Sequence, residues 1–234
     1  MRVLALAAVM GAGLSFAGAA FADPYTDPNG RITFEAPRGW TVERQGSASQ
    51  TAVLLFNASN DCYVFGAPNA VTAPASPDAV IRTTSQPLAA TSWTATANSV
   101  RDFFPNNSAQ LTSQTVDTSG FWPVQRAQFA GVGGKTVYAG MSSRPGFDLM
   151  AFCAPASGAG SASAYDALFN SLAHPNDATW QAAATQQAAQ RQAQADANAA
   201  AAQTQQPSES QAQQEADGNV ARSSRDPRTR RSRD

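Results

Sequence analysis

Apolar and polar residues alternate in the first part of the chain, and the alternation predicts strands. Segment 31–36 alternates with a period of two, which is typical of a half-buried strand. After a Pro-Arg-Gly turn the alternation resumes, with Trp40 and Val42 expected on the buried side. Two apolar runs follow at 51–56 and 62–65, separated by a turn-forming Asn-Ala-Ser-Asn-Asp segment. These segments predict a meander or a hairpin.

Helical patterns occupy the middle and the end of this region. Ser76 followed by Pro and Asp is a helix-start signature, and Pro87 is expected to end that helix. A second helical stretch places four apolar residues on one face: Trp93, Ala97, Val100 and Phe104. A closing amphipathic helix is predicted over 161–173.

Four further extended segments lie between these helices, and Gly and Pro separate them at short intervals, as in antiparallel hairpins. They are 111–116, 122–129, 136–141 and 147–153. The order of strands, helices, strands and helix predicts an α+β domain, with a mostly antiparallel sheet and helices packed on it.

The first 22 residues have the three parts of a cleavable export signal. They carry a positive charge at Arg2, an apolar run rich in Gly and Ala, and a small-residue site before Asp23. We therefore predict a Sec-type signal peptide over 1–22, with cleavage between Ala22 and Asp23 and a periplasmic or secreted location. Asp23 offers no thiol for a lipid anchor, and no transmembrane segment is expected in the mature chain.

Export places both cysteines in an oxidising compartment, where disulfides persist. Cys62 and Cys153 are the two cysteines of the chain, so we predict that they pair. Closing a loop of that length stabilises a fold by about 4 kcal/mol in the chain-entropy model. A catalytic cysteine or a metal site is a weaker alternative because the chain has a single histidine, His174.

Composition divides the mature chain near Pro175. We predict a globular domain over 23–175, an Ala/Gln-rich segment able to form a helix over 176–206, and a disordered basic tail over 207–234. The tail could weakly attract anionic membrane or lipopolysaccharide phosphates, and a solvated end without a partner is the alternative. Its arginines are Arg222, Arg225, Arg228, Arg230, Arg231 and Arg233.

Segment 32–40, with the sequence ITFEAPRGW, resembles the opening strand and turn of Mog1/PsbP-like domains. The later order of a mid-chain helix, hairpin strands and a closing helix is also similar, so the resemblance covers about 30–175. It implies an α/β/α sandwich. It also implies a non-enzymatic assembly, binding or stabilising module, and such modules occur in photosystem subunits, a nuclear transport factor and bacterial envelope proteins.

Recognised catalytic and cofactor motifs are missing from the sequence. The Gly-Lys-Thr at 134–136 is not a phosphate-binding loop, because Phe129 stands where that motif needs glycine. His174 is expected to cap the end of the closing helix rather than to act as a base. We therefore assign no catalytic, cofactor or metal residues and expect no enzymatic activity. Trp122, Arg126 and Arg144 are the candidate partner contacts, because Trp and Arg are enriched at binding hot spots.

Together these patterns predict a non-enzymatic periplasmic binding or interaction module of the bacterial envelope. The partner is an envelope protein or a ligand, and nucleic acid is excluded because the chain is exported and has a net charge of -1. Two alternatives remain open. One is an envelope hydrolase of unrecognised mechanism, and the other is a carrier of a small apolar ligand in a groove between helix and sheet.

Overall fold

A computed structural model describes residues 21–45, 52–157 and 160–205. The strands in these ranges are β1 (Phe21–Thr26), β2 (Thr33–Pro37), β3 (Thr41–Gln45), β4 (Ala52–Phe56), β5 (Asn60–Pro68), β6 (Gln110–Asp117), β7 (Val124–Ala130), β8 (Thr136–Arg144) and β9 (Phe147–Pro155). The α-helices are α1 (Pro77–Thr84), α2 (Ala90–Ala97), α3 (Asp166–Ser171) and α4 (Asp177–Gln205).

Strands β3 to β9 form a seven-stranded sheet in the order β3-β4-β5-β9-β8-β7-β6, while β1 and β2 form a separate two-stranded sheet. All neighbouring strands run antiparallel. Short turns connect β4 to β5 and β8 to β9, and the β5–β9 pairing joins these two hairpins at the centre of the sheet. The predicted fold class, α+β with a mostly antiparallel sheet and helices packed on it, is confirmed.

One side of the large sheet, here called the hairpin face, is covered by the β1–β2 hairpin and α3. The alternation in β2 and the residue before it buries Ile32, Phe34 and Ala36 against the apolar side chains of β4, β5 and β9. Phe169 of α3 lies over Gly140 of β8, and a Cβ atom added to Gly140 would come within 2.5 Å of the Phe169 ring. A side chain at position 140 would therefore displace α3.

The opposite side, here called the helix face, is covered by α1, α2 and the turn that follows α2. Trp93 and Phe104 are fully buried there and pack against Phe129 of β7 and Phe152 of β9. The ring centroids of Phe104 and Phe129 are 5.5 Å apart, in an edge-on arrangement favoured by aromatic quadrupoles. This aromatic cluster fixes the turn after α2 on the sheet.

Polar contacts fix the ends of α1. The Ser76 hydroxyl accepts a hydrogen bond from the backbone N–H of Ala79, as the helix-start signature predicted. At the other end, the buried Gln125 side chain of β7 donates to the carbonyls of Thr84 and Gln86 and accepts from the N–H of Leu88. Gln125 therefore satisfies backbone groups that the helix end and the following connection leave free.

The two cysteines are directly opposite each other on β5 and β9, and they form the predicted disulfide. Cys62 and Cys153 are fully buried on the hairpin face, with Cα atoms 4.0 Å apart and a sequence separation of 91. The bond therefore links the two central strands of the sheet.

Two sequence expectations need correction. Val42 was expected to be buried, but it is 36% exposed, and Trp40 is only half-buried, because β3 is an edge strand that extends beyond the layers covering the sheet. The closing helix was expected over 161–173, but a 3-10 turn at 162–164 precedes the shorter α3. The predicted apolar residues of this segment, such as Leu168 and Phe169, are nevertheless buried.

Helix α4 coincides with the Ala/Gln-rich segment that was expected to be able to form a helix. The compact unit ends at Ala184, so it includes the first two turns of α4, and a second unit begins at Thr185. Within the second unit, hydrogen bonds at a spacing of four residues join Gln192 to Asp196 and Gln194 to Asn198. The apolar run of the signal peptide and the basic tail lie outside the described residues.

The close approach of Phe169 to Gly140 gives a test of the packing between α3 and the sheet. Gly140→Ala should lower the free energy of unfolding by about 1–3 kcal/mol, because the new methyl group overpacks the interface. Urea denaturation measures the change. Gly120→Ala is the matched control, since its added Cβ would meet its nearest neighbour at 3.7 Å. Equal effects of the two substitutions would contradict this packing.

Candidate functional site

Two of the three candidate partner contacts, Trp122 and Arg144, come together inside the compact unit. The Arg144 guanidinium lies 4.4 Å from the centroid of the Trp122 ring, which is a cation–π contact. Trp122 is 6% exposed and Arg144 is 2% exposed. Side chains so deeply buried offer little surface to a partner. Their contacts instead link β8, the start of β7 and α4.

Arg144 places all of its donors on partners within the compact unit. Its Nε and one terminal nitrogen donate to the two carboxylate oxygens of Asp177, at 2.7 and 2.9 Å. The remaining donations go to the Ser142 hydroxyl and to the carbonyls of Ser143 and Leu172. Burial lowers the pKa of Arg144, and Asp177 opposes that shift. The group therefore fastens the first turn of α4 to β8.

Arg126, the third candidate, joins the β6–β7 hairpin to α3. One terminal nitrogen donates to Asp166 at 2.5 Å, and the other donates to Asp117 and to the Asn170 carboxamide. Hydrogen bonds from Ser119 and Arg126 lower the pKa of Asp117. With 19% of its side chain exposed, Arg126 keeps some access to solvent.

His174 lies in the connection between α3 and α4, three residues beyond Ser171, the last residue of α3, so the expected helix cap is wrong. Its Nδ1 instead accepts a hydrogen bond from the N–H of Asn176, just before α4. The ring centroids of His174 and Trp180 are 4.6 Å apart, and Phe147 packs on His174 as well. Burial lowers the pKa of His174, which favours the neutral imidazole.

A groove of about 490 Å³ opens on the helix face at the end where β5 begins and β9 ends. Its floor consists of side chains from neighbouring strands: Leu54 and Tyr63 are directly paired on β4 and β5, and Asp61 is paired with Ala154 on β9. Val137 of β8 completes this floor. The floor is thus largely apolar, with Asp61 at one end.

The walls of the groove come from two connections. The turn after α2 contributes Val100, Asp102 and Phe103, and the β7–β8 loop contributes Val132 and Lys135. Phe103 is held edge-on against the buried ring of Phe104, so this wall is attached to the aromatic cluster of the helix face. The groove therefore lies between the helical layer and the sheet.

Three charged side chains line this groove: Asp61, Asp102 and Lys135. Within the part of the chain that the structure describes, the ion pairs formed at 4.0 Å or less involve other residues. Sequence reasoning missed Asp61, Asp102 and Lys135 as site residues. The helical spacing of apolar residues over 93–104 indicated that this segment packs on the sheet. No pattern in the sequence shows which strand the segment contacts.

A buried tyrosine fixes the strand end that carries Asp61. The Tyr165 hydroxyl donates to the Asn60 carboxamide oxygen at 2.7 Å, across 105 residues of sequence. Burial raises the pKa of Tyr165 to about 12, with smaller contributions from Tyr138 and Asp61. The neutral hydroxyl is therefore the stable donor at neutral pH, and it positions the start of β5.

Over the described ranges 21–45, 52–157 and 160–205, no group of three or more His, Cys, Asp or Glu side chains is placed to hold a metal ion. In the same ranges, none of the helices combines the length and the apolar character needed to cross a membrane.

No protein family model matches the chain, and no curated protein matches it. Among solved structures, it is similar to the solution structure of cyanobacterial PsbP (CyanoP) from Synechocystis sp. PCC 6803. The TM-score is 0.43 and the identity is 14%, with 72% of this chain and 98% of that chain covered. The resemblance stated for segment 32–40 was to domains of the same PsbP-like group.

Removing the charge of Asp177 tests the anchoring of α4. Asp177→Asn should lower the free energy of unfolding by about 3–5 kcal/mol, because it leaves the buried Arg144 guanidinium without its counter-charge. Arg82→Gln is the control: it breaks the pair with Asp78, in which Arg82 is 50% exposed, and should change stability by less than about 1 kcal/mol. Urea denaturation of both variants measures the difference, and equal losses would refute the anchoring role.

The environment of His174 predicts a pH-dependent stability. Because its pKa is lower in the folded protein than its usual 6.5, the unfolded chain binds the proton more readily. The His174 contribution should be fully present above about pH 7 and should be lost as the pH falls below 6.5. In His174→Gln the fall in unfolding free energy between pH 7 and pH 5 should be smaller. Urea denaturation at several pH values tests this, and parallel curves for the two proteins would contradict it.

Proposed function

We propose that this protein is a non-enzymatic binding module of the bacterial periplasm, and that the helix-face groove is its binding site. The observation that carries the proposal is the groove itself, an apolar floor between the helical layer and the sheet with charged side chains on its margin. Concave, mostly apolar sites with a few polar groups are typical of small-molecule recognition.

The contacts of the two arginines and the position of the histidine favour a binding role over catalysis by a histidine base. In the described ranges, Arg126 and Arg144 are engaged with carboxylates and backbone carbonyls, and these contacts join secondary-structure elements. The histidine, which would be the ordinary general base, lies in the α3–α4 connection and is not among the residues that line the groove. A general base has to reach the group from which it takes a proton.

The periplasmic location rests on two features of the chain. The buried Cys62–Cys153 bond needs a compartment in which disulfides persist, and the bacterial periplasm is one. The signal-peptide pattern of 1–22 supplies a route to that compartment.

The groove favours the small-ligand form of this function. A carrier needs a site between helix and sheet that is apolar and open to solvent, and the floor of Leu54, Tyr63, Val137 and Ala154 has that character. The three predicted partner contacts are buried or engaged in internal ion pairs, so they do not form a comparable surface.

Binding of the uncharged fluorescent probe N-phenyl-1-naphthylamine tests the groove. The full chain should bind the probe saturably, with a rise in its fluorescence. Leu54→Gln should weaken binding about fivefold, because part of the apolar floor is lost. Phe56→Gln is the matched control: Phe56 is half-buried on the same strand and the same face, but it does not line the groove.

Each outcome of this experiment bears on the proposal. Saturable binding that is weakened by Leu54→Gln and unchanged by Phe56→Gln supports the groove as the site. Absence of saturable binding, or equal effects of the two substitutions, refutes it. Turnover of ester, peptide or glycoside substrates by the purified full chain would instead favour the envelope hydrolase.

A further inference from the structure

The charges around the helix-face groove point to a chemical class of ligand. We propose that the groove binds a short apolar peptide with free termini, whose ammonium group faces Asp61 and Asp102 and whose carboxylate faces Lys135. This inference rests on the proposed function and adds the identity of the ligand class to it.

The groove is lined by charged residues of both signs. Asp61 is half-buried at the floor, Asp102 is exposed on the turn after α2, and Lys135 is half-buried at the end of the β7–β8 loop. No ion pair at 4.0 Å or less joins Lys135 to either aspartate in the described structure. A ligand that carries separate positive and negative groups can therefore pair with both sides at once.

Ligands with a single sign of charge fit this arrangement less well. A fatty acid would pair with Lys135 but would leave Asp61 and Asp102 without a counter-charge. An amine with an apolar tail would pair with the aspartates but would leave Lys135 without one. A zwitterion can pair with charges of both signs, so it gains the most from these three side chains.

The size and the floor of the groove favour a peptide over a zwitterionic lipid. A volume of about 490 Å³ lies within the range of small-molecule sites, and it suits two apolar side chains lying against Leu54, Tyr63 and Val137. The two long acyl chains of a membrane phosphatidylethanolamine would not fit into this volume.

Isothermal titration calorimetry of the full chain with the dipeptide Leu-Phe and its blocked forms tests the proposal. Leu-Phe should bind, while N-acetyl-Leu-Phe and Leu-Phe-amide should each bind at least about fivefold more weakly, since each loses one charge pair. Lys135→Gln should weaken Leu-Phe binding but should leave Leu-Phe-amide binding unchanged. Asp102→Asn should weaken Leu-Phe binding but should leave N-acetyl-Leu-Phe binding unchanged.

Arg101→Gln provides the matched control, because Arg101 is exposed beside Asp102 and does not line the groove. Binding in this variant should equal that of the unmodified protein. Equal affinities for the free and the blocked dipeptides, or no binding of Leu-Phe at millimolar concentration, would overturn the proposal. Tighter binding of dihexanoylphosphatidylethanolamine than of Leu-Phe would also overturn it.

The fluorescent probe separates this failure from that of the proposed function. The probe is uncharged, so its binding depends on the apolar floor and not on Asp102 or Lys135. If the probe binds in a Leu54-dependent way and the dipeptides do not discriminate, the groove remains a binding site and the ligand class is wrong. If the probe does not bind either, both proposals fail.

Discussion

The pairing of β5 with β9 is the constraint on which the compact unit depends. It joins two hairpins that are distant in sequence, and nine consecutive register pairs run from Asn60 opposite Pro155 to Pro68 opposite Phe147. The entropy of closing so long a loop opposes this contact until many residues have paired. The Cys62–Cys153 bond lies inside the pairing, so it limits the loop in the unfolded chain as well as the distance between the two strands in the fold.

The seven-stranded sheet has apolar residues on both sides, so both sides have to be covered. The two layers that cover it differ in extent. On the hairpin face, the β1–β2 hairpin and α3 bury the central strands. On the helix face, α1 and α2 have eight residues each, and they lie mainly over β7, β8 and β9. Leu54 and Tyr63, on the strands beyond, remain half-buried. The groove lies where the sheet extends beyond the helices that cover it.

The elements that depend on residues close together in the chain can be predicted from the sequence. Alternation in β2 and the capping Ser76 locate their elements, because they depend on neighbours within a few residues. The role of Gln125 at the end of α1 and the meeting of Arg144 with Asp177 depend on residues about 30 to 40 positions apart. The strand order depends on the pairing of β5 with β9, which are still further apart along the chain. A single sequence does not specify such pairs. For the same reason, the groove residues could be predicted one by one as apolar or charged, but not as a group.

Arg144 and Lys135 show why residue type alone does not distinguish a structural charge from one that can meet a ligand. Arginine beside tryptophan is typical of binding hot spots, yet the same planar group with five donors also suits a buried position where a carboxylate and several carbonyls are available. Arg144 has such partners, and they fix it within the protein. Lys135 follows a loop with two glycines of positive φ, Gly133 and Gly134. Among the residues that the structure describes, no aspartate lies within ion-pairing distance of Lys135. What distinguishes an internal charge from one able to meet a ligand is therefore whether the fold already supplies its partner.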